Sequence, residues 1–264
     1  WNGWICKENG KRTAKVLAFA VHLIFRKNCR LFCNKIIDKF YKKEYNITVL
    51  YNAVITGGWM GETEQKTLEE IMSAAMREFL DKDFQTASLR SIVKMAGVTT
   101  GAFYGYFDSK EALFEALVGE QYQHFMDCFC KAQKEFADLP PKEQPENLSS
   151  ISGLCMEDML LYAYEHLEVF KLILCHSEGT RFSRMIDEMV EIETKGTDDY
   201  LKVLEQLGRP SPPIDSRLEH ILITGMFNAF FELIIHEMPL EQALRYLQEM
   251  RAFYTAGWMK IMGQ

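Results

Sequence analysis

The chain has 264 residues, with 30 Lys and Arg against 37 Asp and Glu and a 48% hydrophobic share, which is the composition of a folded protein of one or two domains. A formal net charge of −7 argues against non-specific coating of nucleic acid. Seven cysteines without framework spacing argue against a disulfide scaffold and for a reducing compartment, and no run approaches the roughly 18 apolar residues of a membrane span; a cytoplasmic location with no membrane partner is expected.

Residues 1–59 differ from the rest. They carry 11 Lys and Arg against 3 Asp and Glu and hold no methionine or proline, while all 14 methionines lie at or after Met60. Thr56-Gly57-Gly58-Trp59 reverse-translates to a run containing AGGAGG, a bacterial ribosome-binding sequence, just before an ATG. Residues 1–59 are therefore expected to be translated leader, with Met60 as the start. The rival readings are a basic DNA-binding arm and a signal peptide. VLAFAVHLIF (16–25) follows Lys7, Lys11, Arg12 and Lys15 as a signal core would, but Arg26 and Lys27 stand where a small-residue cleavage site belongs.

From Thr67 the pattern becomes regular. Thr67 and Glu70 have capping-box spacing, and Leu68, Ile71, Met72, Ala75 and Phe79 form a helical stripe. Ser88 then caps a short helix with Leu89, Ile92, Val93 and Ala96 on one face, and Gly97 ends it. Val98 is an apolar plug, and Thr99 caps a second helix running to about Phe107. Two short helices joined at a glycine have helix-turn-helix geometry, and the second would enter a major groove. The short side chains of Thr99, Thr100, Gly101 and Ala102 let the backbone approach bases. Ser88, Arg90, Tyr104, Tyr106 and Lys110 are candidate contacts to phosphate and backbone.

Asp108 and Glu111 again have capping-box spacing and predict a long helix to about Phe136, with Phe114, Leu117, Val118, Phe125, Phe129 and Ala132 on its inner side. Residues 137–150, rich in proline and polar groups, read as a loop. Helices are expected at about 150–166, 167–177, 180–207, 215–237 and 239–262, broken at Gly179, at Gly208 to Pro213 and near Pro239. No strand alternation is found, so the chain is expected to be all-α. The helix at 215–237 is apolar on more than one side and the next repeats the theme. Leu222, Met226, Phe230, Leu247, Tyr254 and Trp258 are the candidate dimer interface, the alternative being an ordinary monomer core, which periodicity does not separate from it.

Met156, Met159, Phe170, Leu174, Phe182, Met185 and Met189 on the central helices are adaptable lining for an apolar pocket, and equally ordinary core. Asn228, within an apolar run, would face a ligand or a dimer mate. His124 and Cys128 at i, i+4 are two ligands where a metal site needs more. Cys175 and His176 are adjacent and cannot face each other, and neither an oxyanion motif nor a phosphate loop is present. Neither a catalytic site, a metal nor a cofactor is expected.

The run 71–118 resembles the DNA-binding domain of the tetracycline-repressor (TetR) family of bacterial regulators. The resemblance rests on Ala74-Ala75, Phe79, Phe84, Thr86-Ala87-Ser88, Ala96-Gly97-Val98, Gly101, Phe103-Tyr104, Tyr106-Phe107 and Ser109-Lys110-Glu111. Thr100 departs from it, since many members carry lysine there. The resemblance implies a three-helix helix-turn-helix domain over 60–113 and a helical effector-binding and dimerisation domain over 114–264. It implies a homodimer on double-stranded operator DNA, acting as a repressor and released by a small apolar effector through the 109–136 helix as a lever. The alternative is a helical adaptor that keeps the fold but binds a protein partner.

Overall fold

The computed structural model describes residues 61–264, which form one compact unit; the expected leader, 1–59, lies outside the described residues. Among the described residues the chain is all-α. It runs α1 (Glu62–Thr86), α2 (Leu89–Met95), α3 (Thr100–Phe103), α4 (Lys110–Ala137), α5 (Gln144–Glu165), α6 (Leu167–Cys175), a 3-10 turn (Arg181–Arg184), α7 (Met185–Gln206), α8 (Ser216–Ile235) and α9 (Leu240–Ile261).

Helix starts are set by local chemistry, and two differ from expectation. The Glu64 carboxylate accepts the N–H of Gly61 (3.0 Å), so α1 begins there and Thr67 lies inside it, its hydroxyl donating to the Thr63 carbonyl (2.9 Å). Ser109, not Asp108, caps α4, its Oγ accepting the Ala112 N–H (3.1 Å). The loop expected over 137–150 is short because α5 begins at Gln144, with Pro145 in its first turn, where a missing N–H costs nothing. The buried Gln144 amide donates to the carbonyls of Ala137 (3.4 Å) and Leu139 (3.2 Å) and closes the α4–α5 turn.

Two aromatic clusters on α4 hold the fold. Phe114 meets Phe79 and Phe84 of α1 with centroids 5.1 and 5.2 Å apart. Further along, Phe125 meets Phe170 of α6 (4.9 Å) and Phe231 of α8 (5.9 Å), and Phe129 meets Phe227 (5.6 Å). Fully burying each such ring contributes about 1.5–3 kcal/mol. One helix thus runs continuously from the helix-turn-helix into the main core.

Helix α8 corrects an expectation: by length and composition it is apolar enough to cross a membrane. Its Ile223, Phe227, Phe230, Phe231 and Ile234 are buried against the other helices, which accounts for the apolar run. Its first turn carries an exception. Glu219 is 4% exposed, and its Oε1 has no hydrogen-bond partner among the described residues. Burial, with the Asp198 charge, raises its pKa. Its place near the helix N-terminus returns about 0.3–1 kcal/mol, less than the about 1–3 kcal/mol lost by an orphaned buried polar group. Glu219→Met is therefore expected to stabilise the protein by about 1 kcal/mol at neutral pH. Because the folded pKa is the raised one, the penalty is present above it and fades as pH falls toward the unfolded value, so urea unfolding at neutral and at acid pH should show the gain shrinking.

Candidate functional site

The helix-turn-helix is built from its turn outward. Gly97 has φ +68°, the left-handed conformation glycine adopts without strain. The N–H of Gly97 donates to the Lys94 carbonyl (3.3 Å) and that of Val98 to the Val93 carbonyl (3.0 Å), which satisfies the last carbonyls of α2. Thr99 Oγ1 then accepts the Ala102 N–H (3.1 Å) and starts α3. Phe103 is fully buried beneath it. Helix α3 is shorter than the expected span to Phe107: regular helix ends at Phe103, and the N–H groups of Tyr106 and Phe107 both turn back to the Phe103 carbonyl (2.9 and 3.0 Å).

Ser88, Arg90, Lys94, Thr99, Thr100, Gly101 and Ala102 are all exposed. Tyr104 is 54% exposed, and its hydroxyl makes no hydrogen bond among the described residues. Three expected contacts are otherwise engaged. The Tyr106 hydroxyl donates to the Glu64 carbonyl (3.2 Å) and ties this end of the reader to α1. Lys110 Nζ donates to the carbonyls of Phe84 (2.6 Å), Gln85 (3.3 Å) and Ala87 (3.1 Å) and lies 4.5 Å from the Phe84 ring centre. It holds the α1–α2 junction because the chain kinks there: Asp83 takes φ +61°, and its Oδ1 accepts the Thr86 N–H (3.0 Å). Ser88, although in the cap position of α2, makes no side-chain cap; its N–H donates to Glu78 Oε1 (3.0 Å).

Glu78 was not anticipated. Only 3% exposed, its carboxylate accepts from the Ser88 N–H, from Ser91 Oγ (2.7 Å) and from Lys82 Nζ (3.1 Å), so α1 grips the start of α2. Burial alone would raise its pKa, but these donors outweigh it and hold the pKa below the usual carboxylate value. The signal was in the sequence: Glu78 falls on the apolar stripe of Ile71, Ala74 and Ala75.

The second feature is a cavity of about 160 Å³ among α4, α5, α7, α8 and α9. This is far above the roughly 10–15 Å³ that a single water needs. Of the expected lining, Met156, Met159 and Met189 are on its wall. Phe170, Phe182 and Met185 are buried elsewhere in the core, Leu174 packs beside them, and Asn228 is exposed on the outer side of α8. The expected dimer residues also move. Met226, Phe230, Tyr254 and Trp258 line the cavity, Leu247 is buried in the core, and Leu222 is only partly exposed. The reason is the two-sided apolarity of α8, whose inner face could not be told from its outer one by periodicity.

Polar groups reach this wall as well. Glu193 of α7 accepts a hydrogen bond from the Gln133 amide of α4. Arg251 of α9 lies over Gly153, its guanidinium filling the space that a Cβ there would need, and donates to the Ser149 carbonyl (2.9 Å). His124 stacks on Tyr162 (4.1 Å), which gives that ring a packing role. Among the described residues no three His, Cys, Asp or Glu side chains are grouped to hold a metal.

Comparison with known proteins bears on the same segment. Residues 71–117 match the sequence profile described as "Bacterial regulatory proteins, tetR family". The chain is 26% identical over 145 residues to the HTH-type transcriptional regulator TtgR of Pseudomonas putida, a match spanning 55% of this chain and 59% of that protein. It is 41% identical over 59 residues to an uncharacterized HTH-type transcriptional regulator, YvdT, of Bacillus subtilis, covering 22% of this chain and 30% of that one. A crystal structure of a transcriptional regulator from Aquifex aeolicus overlaps 69% of this chain and 96% of its own at 22% identity and a TM-score of 0.44. The chain thus spans about three-fifths of the length of the longer curated matches. With its helix-turn-helix geometry and the match over 71–117, this segment of the chain is similar to the DNA-binding domain of the tetR family of bacterial regulatory proteins.

Proposed function

We propose that this protein is a transcriptional repressor that binds double-stranded operator DNA as a homodimer and leaves it when a small molecule enters the cavity. The observation that carries the reading is the exposed row Thr99, Thr100, Gly101 and Ala102, held on a capped turn over the buried Phe103. No catalytic role is assigned. Residues 60–113 would read DNA, and 114–264 would bind effector and pair the two copies.

The lever reading has physical support in α4. Near its start, Glu115 takes both Arg181 Nη2 (2.6 Å) and Nε (3.0 Å), and the guanidinium lies over the Phe182 ring (4.2 Å). Two turns on, the Tyr122 hydroxyl donates to Glu188 of α7 (2.6 Å). The Phe84 N–H donates to the His176 carbonyl (2.9 Å) and ties α1 to the end of α6. Helix α7 also forms a cavity wall, so a ligand that displaces it acts on α4 through packed contacts. DNA and effector would then disfavour each other by one shared coupling energy.

The homodimer would use the same two helices as expected, but their outward faces: Leu218 and Ile221 (63% exposed) on α8 and Phe253 (73% exposed) on α9. Two readers are needed because one helical turn offers few base contacts.

Footprinting on DNA flanking the protein's own gene, followed by binding over a salt series, tests the reading. Arg90→Ala should lower the salt slope by about one per half-site. Lys110→Ala should leave that slope unchanged while lowering thermal stability, since its ammonium is spent on three carbonyls. Thr100→Lys should change operator preference in selection from random DNA. Binding that is neither salt-dependent nor sequence-selective would transfer the fold to the adaptor reading.

A further inference from the structure

We propose that the cavity takes an amphiphilic cation, an ammonium-type centre on an apolar body, with the charge docked on Glu193; this rests on the effector reading above. Glu193 continues the inner stripe of α7 through Met185, Met189 and Tyr200, so its half-buried carboxylate stands at the apolar wall of the cavity. Its hydrogen bond comes from the neutral Gln133 amide, and among the described residues no Lys, Arg or His forms an ion pair with it. The other titratable groups on the wall are Cys155 from α5, Tyr200 from α7 itself, and Tyr254 and Arg251 from α9. Arg251 is the wall's only cation among the described residues, and its guanidinium is placed over Gly153 and given to the Ser149 carbonyl.

A half-buried anion in such surroundings has a neutral hydrogen-bond donor but no counter-charge. Burial raises its pKa to about 6, which still leaves it ionised at neutral pH. A cationic ligand supplies the missing charge through a charge-assisted contact. The methionine and aromatic wall accommodates its apolar body, and ring faces favour a neighbouring cation. A neutral ligand would leave the carboxylate as it is, and an anionic one would add like charge beside it.

The experiment is calorimetric titration of the full chain with decyltrimethylammonium, decanol and decanoate, each below its micelle-forming concentration. The cation should bind at least about tenfold more tightly than decanol, and decanoate most weakly. Glu193→Gln should bring the cation to the level of decanol without changing decanol binding. In the unmodified protein, cation affinity should fall as pH drops through about 6, where the proton competes for the carboxylate; this arm holds even if the variant fails to fold. Equal affinities, tightest binding of decanoate through Arg251, or a flat pH profile with the cation would overturn the ligand class while leaving an effector cavity in place. Binding of none of the three would remove the cavity reading and this inference with it.

Discussion

Phe230→Glu is expected to unfold the protein, whereas Ile221→Glu or Phe253→Glu should leave it folded and convert it to a monomer. Phe230 is 1% exposed, stacks edge-on with Phe231 (5.2 Å) and forms part of the cavity wall. Removing its ring costs about 3–5 kcal/mol, and an unpaired carboxylate adds several more, against a total stability of about 5–15 kcal/mol. At 63% exposure Ile221 gives a glutamate free access to water within one copy. The same charge is costly only where a second copy covers it. Circular dichroism and sedimentation separate the cases. A folded, dimeric Phe230→Glu protein would contradict the core assignment, and dimers of both surface variants would exclude these outward faces as the interface.

This pair of sites marks where the sequence was legible and where it was not. Helix number and order could be read because apolar residues recur at i, i+3, i+4 and i+7 and because glycine or proline punctuates each break. The Gly97 turn and the Thr99 cap could be read because both are local: a positive φ and a side chain reaching three residues on involve no distant partner. Facing could not be read on α8, since apolar residues cover two sides and only contact with α4, α6 and α7 decides which side is inner. Lys110 and Tyr106 were misplaced for a related reason. A long polar side chain near the reader looks like a phosphate contact until the Asp83 kink brings carbonyls within its reach. The two most informative residues, Glu78 and Glu193, had a common signal, a carboxylate on an apolar stripe. That pattern identifies an acid facing the core but not its partner, which for Glu78 lies ten residues on at the start of α2 and for Glu193 sixty residues back in α4.

Glu78 gives the second large effect, because it holds the reader without touching DNA. Its carboxylate accepts from the Ser88 N–H, Ser91 and Lys82, and two of those donors lie at the start of α2. Glu78→Ala leaves the part-buried Ser88 N–H and Ser91 hydroxyl without their acceptor, a loss of about 1–3 kcal/mol. Glu78→Gln, which keeps one acceptor oxygen but sets its NH₂ against the same donors, should lose about half as much. The pH dependence has a fixed sign. Since the folded pKa is depressed, the carboxylate's contribution is present above the unfolded value of about 4.3 and is lost as pH falls through the folded value. The gap between native protein and Glu78→Gln in urea midpoint should therefore be full at neutral pH and close in strong acid. The loss should also be local. Amide exchange ought to quicken from Ser88 through Phe103 while the Phe125, Phe170 and Phe231 cluster stays protected, because that core shares no hydrogen bond with Glu78. Operator affinity should fall with the population of ordered reader, and an unchanged salt slope would show that no phosphate contact had been removed. Uniform loss of protection across α4 and α8 would mean instead that the helix-turn-helix does not open separately from the rest of the chain.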